Sequence, residues 1–140
     1  MADYTALANR LLEANLYGTR HGIQLVFVTE EASEMTLELA EDMKNPYGMA
    51  HGGVLFTLMD TAAGVLSRVD GRRYVTLNGD IHYLQSSLSG RIRAAAQIRR
   101  RGRSTAIIET VATSEDGTEL ASATFTMYCL DQDKKPFETV

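Results

Sequence analysis

The sequence predicts an α+β fold: an antiparallel sheet wrapped around one long central helix, with a short helix at the N-terminus. Three observations carry this. Residues 52–69 are apolar on nearly every side at helical spacing, the pattern of a helix buried in a core. From residue 74 the hydrophobic period drops to two and persists through three long segments. Turns at Gly102 and Gly117 join those segments, so they pair as antiparallel neighbours.

The elements follow in order. Leu7, Leu11, Leu12 and Leu16 recur at helical spacing, and Gly18 supplies a C-terminal stop, giving a helix over residues 1–18. GIQLVFVTEE is β-rich. In EMTLELAED, Met35, Leu37 and Leu39 alternate with Thr36 and Glu38, as in a half-buried strand, and the two segments form a hairpin. Residues 42–51 carry Asn, Pro and Gly and read as a loop. The helix that follows spreads Leu55, Phe56, Met59, Ala62 and Leu66 around its circumference, and Asp70-Gly71 ends it. In YVTLNGDIHYL, Val75, Leu77, Ile81 and Tyr83 share one parity. RIRAAAQIRRR and STAIIETVATS flank Gly102, and ELASATFTMYCL is the last strand. The tail, residues 131–140, is polar and expected to be loose. One helix cannot cover both faces of such a sheet, so its other face and its edges need water or a partner subunit.

Composition bounds the function. A chain of 140 residues suggests a single domain over 1–140, and 44% apolar with 23% charged residues is ordinary for a globular protein. No apolar run approaches the ~20 residues a membrane span needs. The N-terminus, with Asp3 early, reads as an amphipathic helix and not a signal peptide. The lone cysteine, Cys129, rules out an intrachain disulfide, reads as a small core residue and fits a reducing cytoplasm. A net charge of −4 argues against a nucleic-acid partner, although a local basic patch could hold phosphates. His21, His51 and His82 lack metal-ligand spacing, so no metal is expected. Neither a G-x-S-x-G elbow nor a phosphate loop is present.

Asp60 is the one acid in the predicted core helix. An ionised carboxylate there is costly unless it is paired or hydrogen-bonded. It either lies on a wet stripe, or against a neighbouring chain, or has a functional role. His51-Gly52-Gly53 falls where this helix begins. A helix start has unpaired N–H groups, and glycine lets a substrate approach them, so an oxyanion hole is one reading and a packing requirement the other. Gly52 and Asp60 lie roughly 12 Å apart along a helix rising ~1.5 Å per residue. One small reaction centre cannot use both from one copy, but two antiparallel copies can join the glycine end of one to the carboxylate of the other. Arg99, Arg100, Arg101 and Arg103 surround the turn at Gly102, with Arg91 and Arg93 earlier in the strand. They are either a charged hairpin tip or an anion site.

The pattern Asn45-x2-Gly48-x2-His51-Gly52-Gly53, followed by Asp60 and by Thr76 on a long strand, resembles the hotdog-fold acyl-CoA thioesterases, in particular the phenylacetate-degradation (PaaI-type) subfamily. The likeness covers most of residues 20–130. It implies hydrolysis of an acyl-CoA to a carboxylic acid and free CoA, with CoA as part of the substrate and no cofactor. It also implies homodimers that share two active sites and pair into homotetramers. The Gly52 N–H would polarise the thioester carbonyl, with Gly53 supporting the same turn against the substrate. Asp60 of the opposite subunit would be general base or nucleophile. Asn45 would orient water or substrate, His51 would fix the loop beside the thioester, and Thr76 would supply a water-binding hydroxyl. Arg99, Arg101 and Arg103 would face the CoA phosphates. Simple alternation puts Thr76 with Asn78 and Asp80, away from the apolar parity, so a bulge at Gly79 or an interface position is needed to reconcile it. Two alternatives stay open: a hydratase or dehydratase pairing His51 with Asp60, and a non-catalytic acyl-CoA binder.

Overall fold

A computed structural model describes residues 2–138. A single long helix, α3 (Gly52–Arg68), lies across one face of a six-stranded antiparallel sheet. Before it come α1 (Thr5–Ala14), α2 (Leu16–Arg20) and the hairpin β1 (Gln24–Val28) and β2 (Ala32–Glu38). After it come β3 (Tyr74–Tyr83), β4 (Arg91–Arg101), β5 (Thr105–Thr113) and β6 (Glu119–Cys129). The strand order is β1-β2-β4-β5-β6-β3.

The helix packs close because the strands beneath it present small residues. Ala94 and Ala96 of β4, Ala106 and Ala112 of β5, and Ala121 and Ala123 of β6 are all buried. Larger partners, Met35, Ile92, Ile108 and Phe125, fill the space beside Leu58, Met59, Val65 and Leu66 of α3. Alternating large and small residues across facing surfaces brings the core to native density.

The N-terminal helix expected over residues 1–18 is two helices broken at Asn15. The Asn15 side chain accepts the Gly18 N–H at 3.1 Å and caps α2. Gly18 is therefore buried inside α2 and does not stop a helix; a Cβ there would crowd Asn15 at 3.2 Å. The outer edge of β1 is partly covered, since Tyr4 N–H bonds the Val28 carbonyl at 2.9 Å.

β3 forms the other edge and pairs only with β6. Its register shifts between Thr76 and Asn78, which makes Leu77 the bulged residue, two positions before the Gly79 expected from the sequence. Below the bulge, Tyr74 and Thr76 pair with the inward residues Cys129 and Met127; above it, Gly79, Ile81 and Tyr83 pair with the inward Phe125, Ala123 and Ala121. Val75 and Leu77, placed with the core by simple alternation, are exposed. Gly79 has a packing role instead. A Cβ there would meet both Phe56 and Phe125 at 2.8 Å, and those rings pack edge to face.

Asp70-Gly71 does more than end the helix. Asp70 is fully buried and accepts bonds from the Arg72 backbone N–H (2.8 Å), the Tyr74 hydroxyl (2.6 Å) and the Arg101 guanidinium (2.7 Å). The Arg72 guanidinium also bonds it, at 3.1 Å, and reaches the carbonyls of Gly102 and Arg103. Burial, then the bond to Asp70, push the Tyr74 hydroxyl well above its ordinary range, so it remains a donor. The tail expected to be loose is tied to this cluster. Asp131 pairs with Arg73 at 2.8 Å, Phe137 N–H bonds the Asp70 carbonyl at 2.6 Å, and the Phe137 ring lies 5.2 Å from the Arg101 guanidinium. Residues 139–140 of that tail lie outside the described residues.

Removing one member of a buried, paired charge cluster strands the others. Asp70→Ala is predicted to lower the unfolding free energy by about 3–5 kcal/mol, read as a reduced urea midpoint.

Candidate active site

Asp60 sits midway along α3 on the stripe left open by the sheet, shared with Gly53, Thr57, Gly64 and Arg68. Each of these is at least partly exposed, and they recur at helical spacing. Thr76, carried to the same place by β3, donates its hydroxyl to Asp60 Oδ1 at 2.6 Å. The bulge at Leu77 resolves the parity conflict, because Thr76 lies before it and faces the helix. Burial raises the Asp60 carboxyl above its ordinary 3.8; the Thr76 bond and the charge of Arg68 oppose that rise without cancelling it. The result is a half-buried carboxylate held by one donor, with a basicity nearer neutrality than a free aspartate.

The second group lies at the start of α3. His51 is the N-cap, with extended backbone (φ −66°, ψ 137°), and its Nδ1 accepts the Gly53 N–H at 2.9 Å. In the neutral ring this bond places the imidazole proton on Nε2. Among the described residues nothing accepts the Gly52 N–H, as expected in the first turn of a helix. Asn45 uses its side-chain oxygen to accept the N–H groups of Tyr47 (2.9 Å) and Met49 (3.1 Å), which shapes the loop leading into the helix. Gly48, at φ 79°, completes that turn. A cleft of about 350 Å³ opens beside Gly52, lined by Asn45, Met49, Ala50, Leu55 and Tyr83.

Tyr83 was not singled out by sequence reasoning. Its hydroxyl donates to the Gly52 carbonyl at 2.8 Å, and its ring lies where a Cβ on Gly52 would go, 3.0 Å away. Its only signal was membership of the apolar parity of β3. Arg68, half-buried and bonded to the Gly64 carbonyl at 3.2 Å, was likewise missed.

The two groups do not meet within one chain. Asp60 meets Thr76, and Gly52 meets Tyr83, His51 and Asn45, but α3 holds Asp60 and Gly52 roughly 12 Å apart. The arginines divide as well. Arg99 pairs with Glu109 at 3.3 Å on the outer face, and Arg103 is exposed. Arg101, expected to face a phosphate, turns inward: its side chain is 10% exposed and is spent on Asp70 and on the Leu66 and Ser67 carbonyls. The cause is a bulge at Arg99, which reverses the parity of β4 so that Arg101 pairs with the buried Ala106. Among the described residues no three His, Cys, Asp or Glu side chains gather as a metal site, and no helix is long and apolar enough to cross a membrane.

The thioesterase superfamily model matches residues 47–121, from the loop before α3 into β6. The chain is similar to the acyl-coenzyme A thioesterase PaaI of Escherichia coli, at 27% identity over 103 residues, covering 73% of this chain and 74% of that one. The solved structure of the E. coli PaaI protein shares the fold, with a TM-score of 0.83 at 22% identity, covering 88% of this chain and 90% of that one. A Streptococcus mutans protein solved with acetyl-CoA bound is 33% identical, with a TM-score of 0.74, covering 76% of this chain and 87% of that one. With its helix-wrapping sheet and this coverage, the chain belongs to the thioesterase superfamily and is a hotdog-fold thioester hydrolase.

Proposed function

We propose that the chain hydrolyses acyl-CoA thioesters at two equivalent sites of a homodimer, each built from Asp60 of one subunit and the Gly52 N–H of the other. The observation that carries this is the Thr76–Asp60 bond on the open stripe of α3, with a free amide at the helix start about 12 Å away. An antiparallel second helix on that stripe would close the gap. The unpaired edge of β3 supports the same contact, since a ten-residue edge strand with exposed Val75 and Leu77 is suited to pairing with its own copy. Pairing of two dimers into a homotetramer belongs to the same proposal. So does a cytoplasmic setting, which the single unpaired Cys129 supports.

In the proposed reaction Asp60 takes a proton from water as the water oxygen bonds the thioester carbon. The Gly52 N–H stabilises the developing oxyanion, and collapse breaks the carbon–sulfur bond. The proton returns to the departing CoA thiolate, leaving the acid and free CoA. Thr76 holds the carboxylate, and Asn45 and His51 shape the loop that presents the amide. The relatives named for acyl-CoA hydrolysis or solved with acetyl-CoA support CoA as the thiol half of the substrate. Of the three arginines, Arg99 and Arg103 keep exposed side chains at the surface, where they would meet its phosphates, Arg99 in exchange for Glu109 and Arg103 for the Gln132 carbonyl. His51 accepts the Gly53 N–H at Nδ1, which supports its part in holding the loop at the helix start.

Thiol release from a panel of aryl- and alkyl-CoA esters tests the reading, and its absence for every ester would favour a binder. Asp60→Asn is predicted to lower kcat by roughly 10²–10⁴-fold. It should also raise Tm at pH 7. A carboxyl whose folded pKa is raised contributes its full stability below its unfolded value near 3.8, and that contribution is lost as pH rises through the folded value, so at pH 7 the ionised form is a net burden. Thr76→Val removes a bond that lowers this pKa, so the acid limb of kcat/KM is predicted to move to higher pH.

A mixing experiment tests the shared site. Gly52→Pro deletes the N–H at a first-turn position; the extended His51 backbone suits a following proline, and the exposed Tyr83 ring, 3.0 Å from a Cβ there, has to swing aside. Gly52→Pro and Asp60→Asn dimers should each be nearly inactive. Unfolded and refolded together, they should regain about a quarter of wild-type activity, because half of a random mixture is heterodimer with one intact site. No recovery would reject sharing across the interface.

A further inference from the structure

Gly52 and Gly53 lack side chains, so the amide proposed to face the substrate is accessible, but glycine brings no side chain of its own to hold its direction. An oxyanion donor helps only if its direction is fixed before the charge develops.

Two side chains grip one peptide plane here. The Gly52 carbonyl oxygen accepts the Tyr83 hydroxyl at 2.8 Å, and the N–H of the same plane, on Gly53, donates to His51 Nδ1 at 2.9 Å. The His51 bond closes a small ring that contains the whole His51–Gly52 peptide, with the Gly52 N–H on its outside. Tyr83 fastens that ring from the opposite side and from a separate element, β3. Its ring also occupies the space a Cβ on Gly52 would need. A side chain at 52 would therefore push the Tyr83 ring away from the Gly52 carbonyl. Partial burial raises the Tyr83 hydroxyl above its ordinary 10.0, so it remains a donor across neutral pH.

We propose that Tyr83 is a positioning residue that, together with His51, locks the Gly52–Gly53 peptide and so aims the Gly52 N–H at the thioester oxygen. This rests on the reading of Gly52 as the oxyanion donor. Tyr83 is 52% exposed and its ring remains in Tyr83→Phe, so that variant should fold normally. A locking role acts on the transition state, so it moves kcat and leaves KM alone. A Tyr83 that merely lined the acyl cleft would move KM.

The test combines kinetics with the carbonyl stretch of phenylacetyl-CoA, ¹³C-labelled at the thioester carbon. The ester is bound at saturation to Asp60→Asn and to Asp60→Asn/Tyr83→Phe and read by infrared difference spectroscopy. In Asp60→Asn the bound carbonyl band should lie below that of the free ester, and in the double variant it should move back towards the free position. In the Asp60 background Tyr83→Phe should lower kcat roughly three- to ten-fold with KM and Tm unchanged. A lowered band that does not move in the double variant overturns the proposal for Tyr83 and leaves Gly52 as the donor. A change in KM with kcat intact overturns it in the same way. A band that is not lowered even with Tyr83 present overturns the oxyanion reading itself, and the Tyr83 proposal with it.

Discussion

The buried carboxylate of Asp70 sets the register on which the site depends. It lies just past the last turn of α3 and is bonded by Arg72, Tyr74 and Arg101, so it ties the helix end to the start of β3 and the end of β4. Tyr74 is two residues before Thr76. Once Tyr74 is fixed to Asp70, the strand can bring only one hydroxyl to the middle of α3, and Thr76 meets Asp60 there. A buried ion cluster is a poor source of net stability compared with apolar packing, but its strict geometry suits it to specifying one register among several.

The same helix carries the charge on which the proposed reaction rests. Most of α3 is sealed by alanine-rich strands, yet the stripe through Asp60 stays half open and keeps a carboxylate whose ionised form is disfavoured by burial. A purely structural solution would place an apolar residue there. The charge is maintained by a single hydroxyl donor and a distant arginine, enough to hold it without silencing its basicity.

Much of this was legible in the sequence, and the failures share a cause. The all-round apolar pattern of residues 52–69 gave the central helix nearly to the residue, and the alternations from Tyr74 onward gave the three long strands. The Asn45 to Asp60 constellation named the residues that line the two halves of the proposed site. What strict alternation could not supply were the bulges at Leu77 and Arg99. Each inserts one residue, and everything beyond it changes face. Thr76 therefore looked outward when it faces the helix, and Arg101 looked solvent-facing when it is core. Asp70 was read as a helix stop because one of the partners that bury it, Arg101, lies 31 residues further along the chain. Such a pairing leaves no local mark.

The bulge at Leu77 has a numerical consequence. Thr76 and Tyr83 reach two different points of α3, one at the Asp60 carboxylate and one at the Gly52 carbonyl. Their numbers differ by an odd count, and an unbroken strand would send them to opposite sides of the sheet. One inserted residue puts them in phase. β3 is in effect a ruler cut at Leu77 and rejoined half a period out of step, and that offset lets a single strand gauge both halves of the proposed site at once.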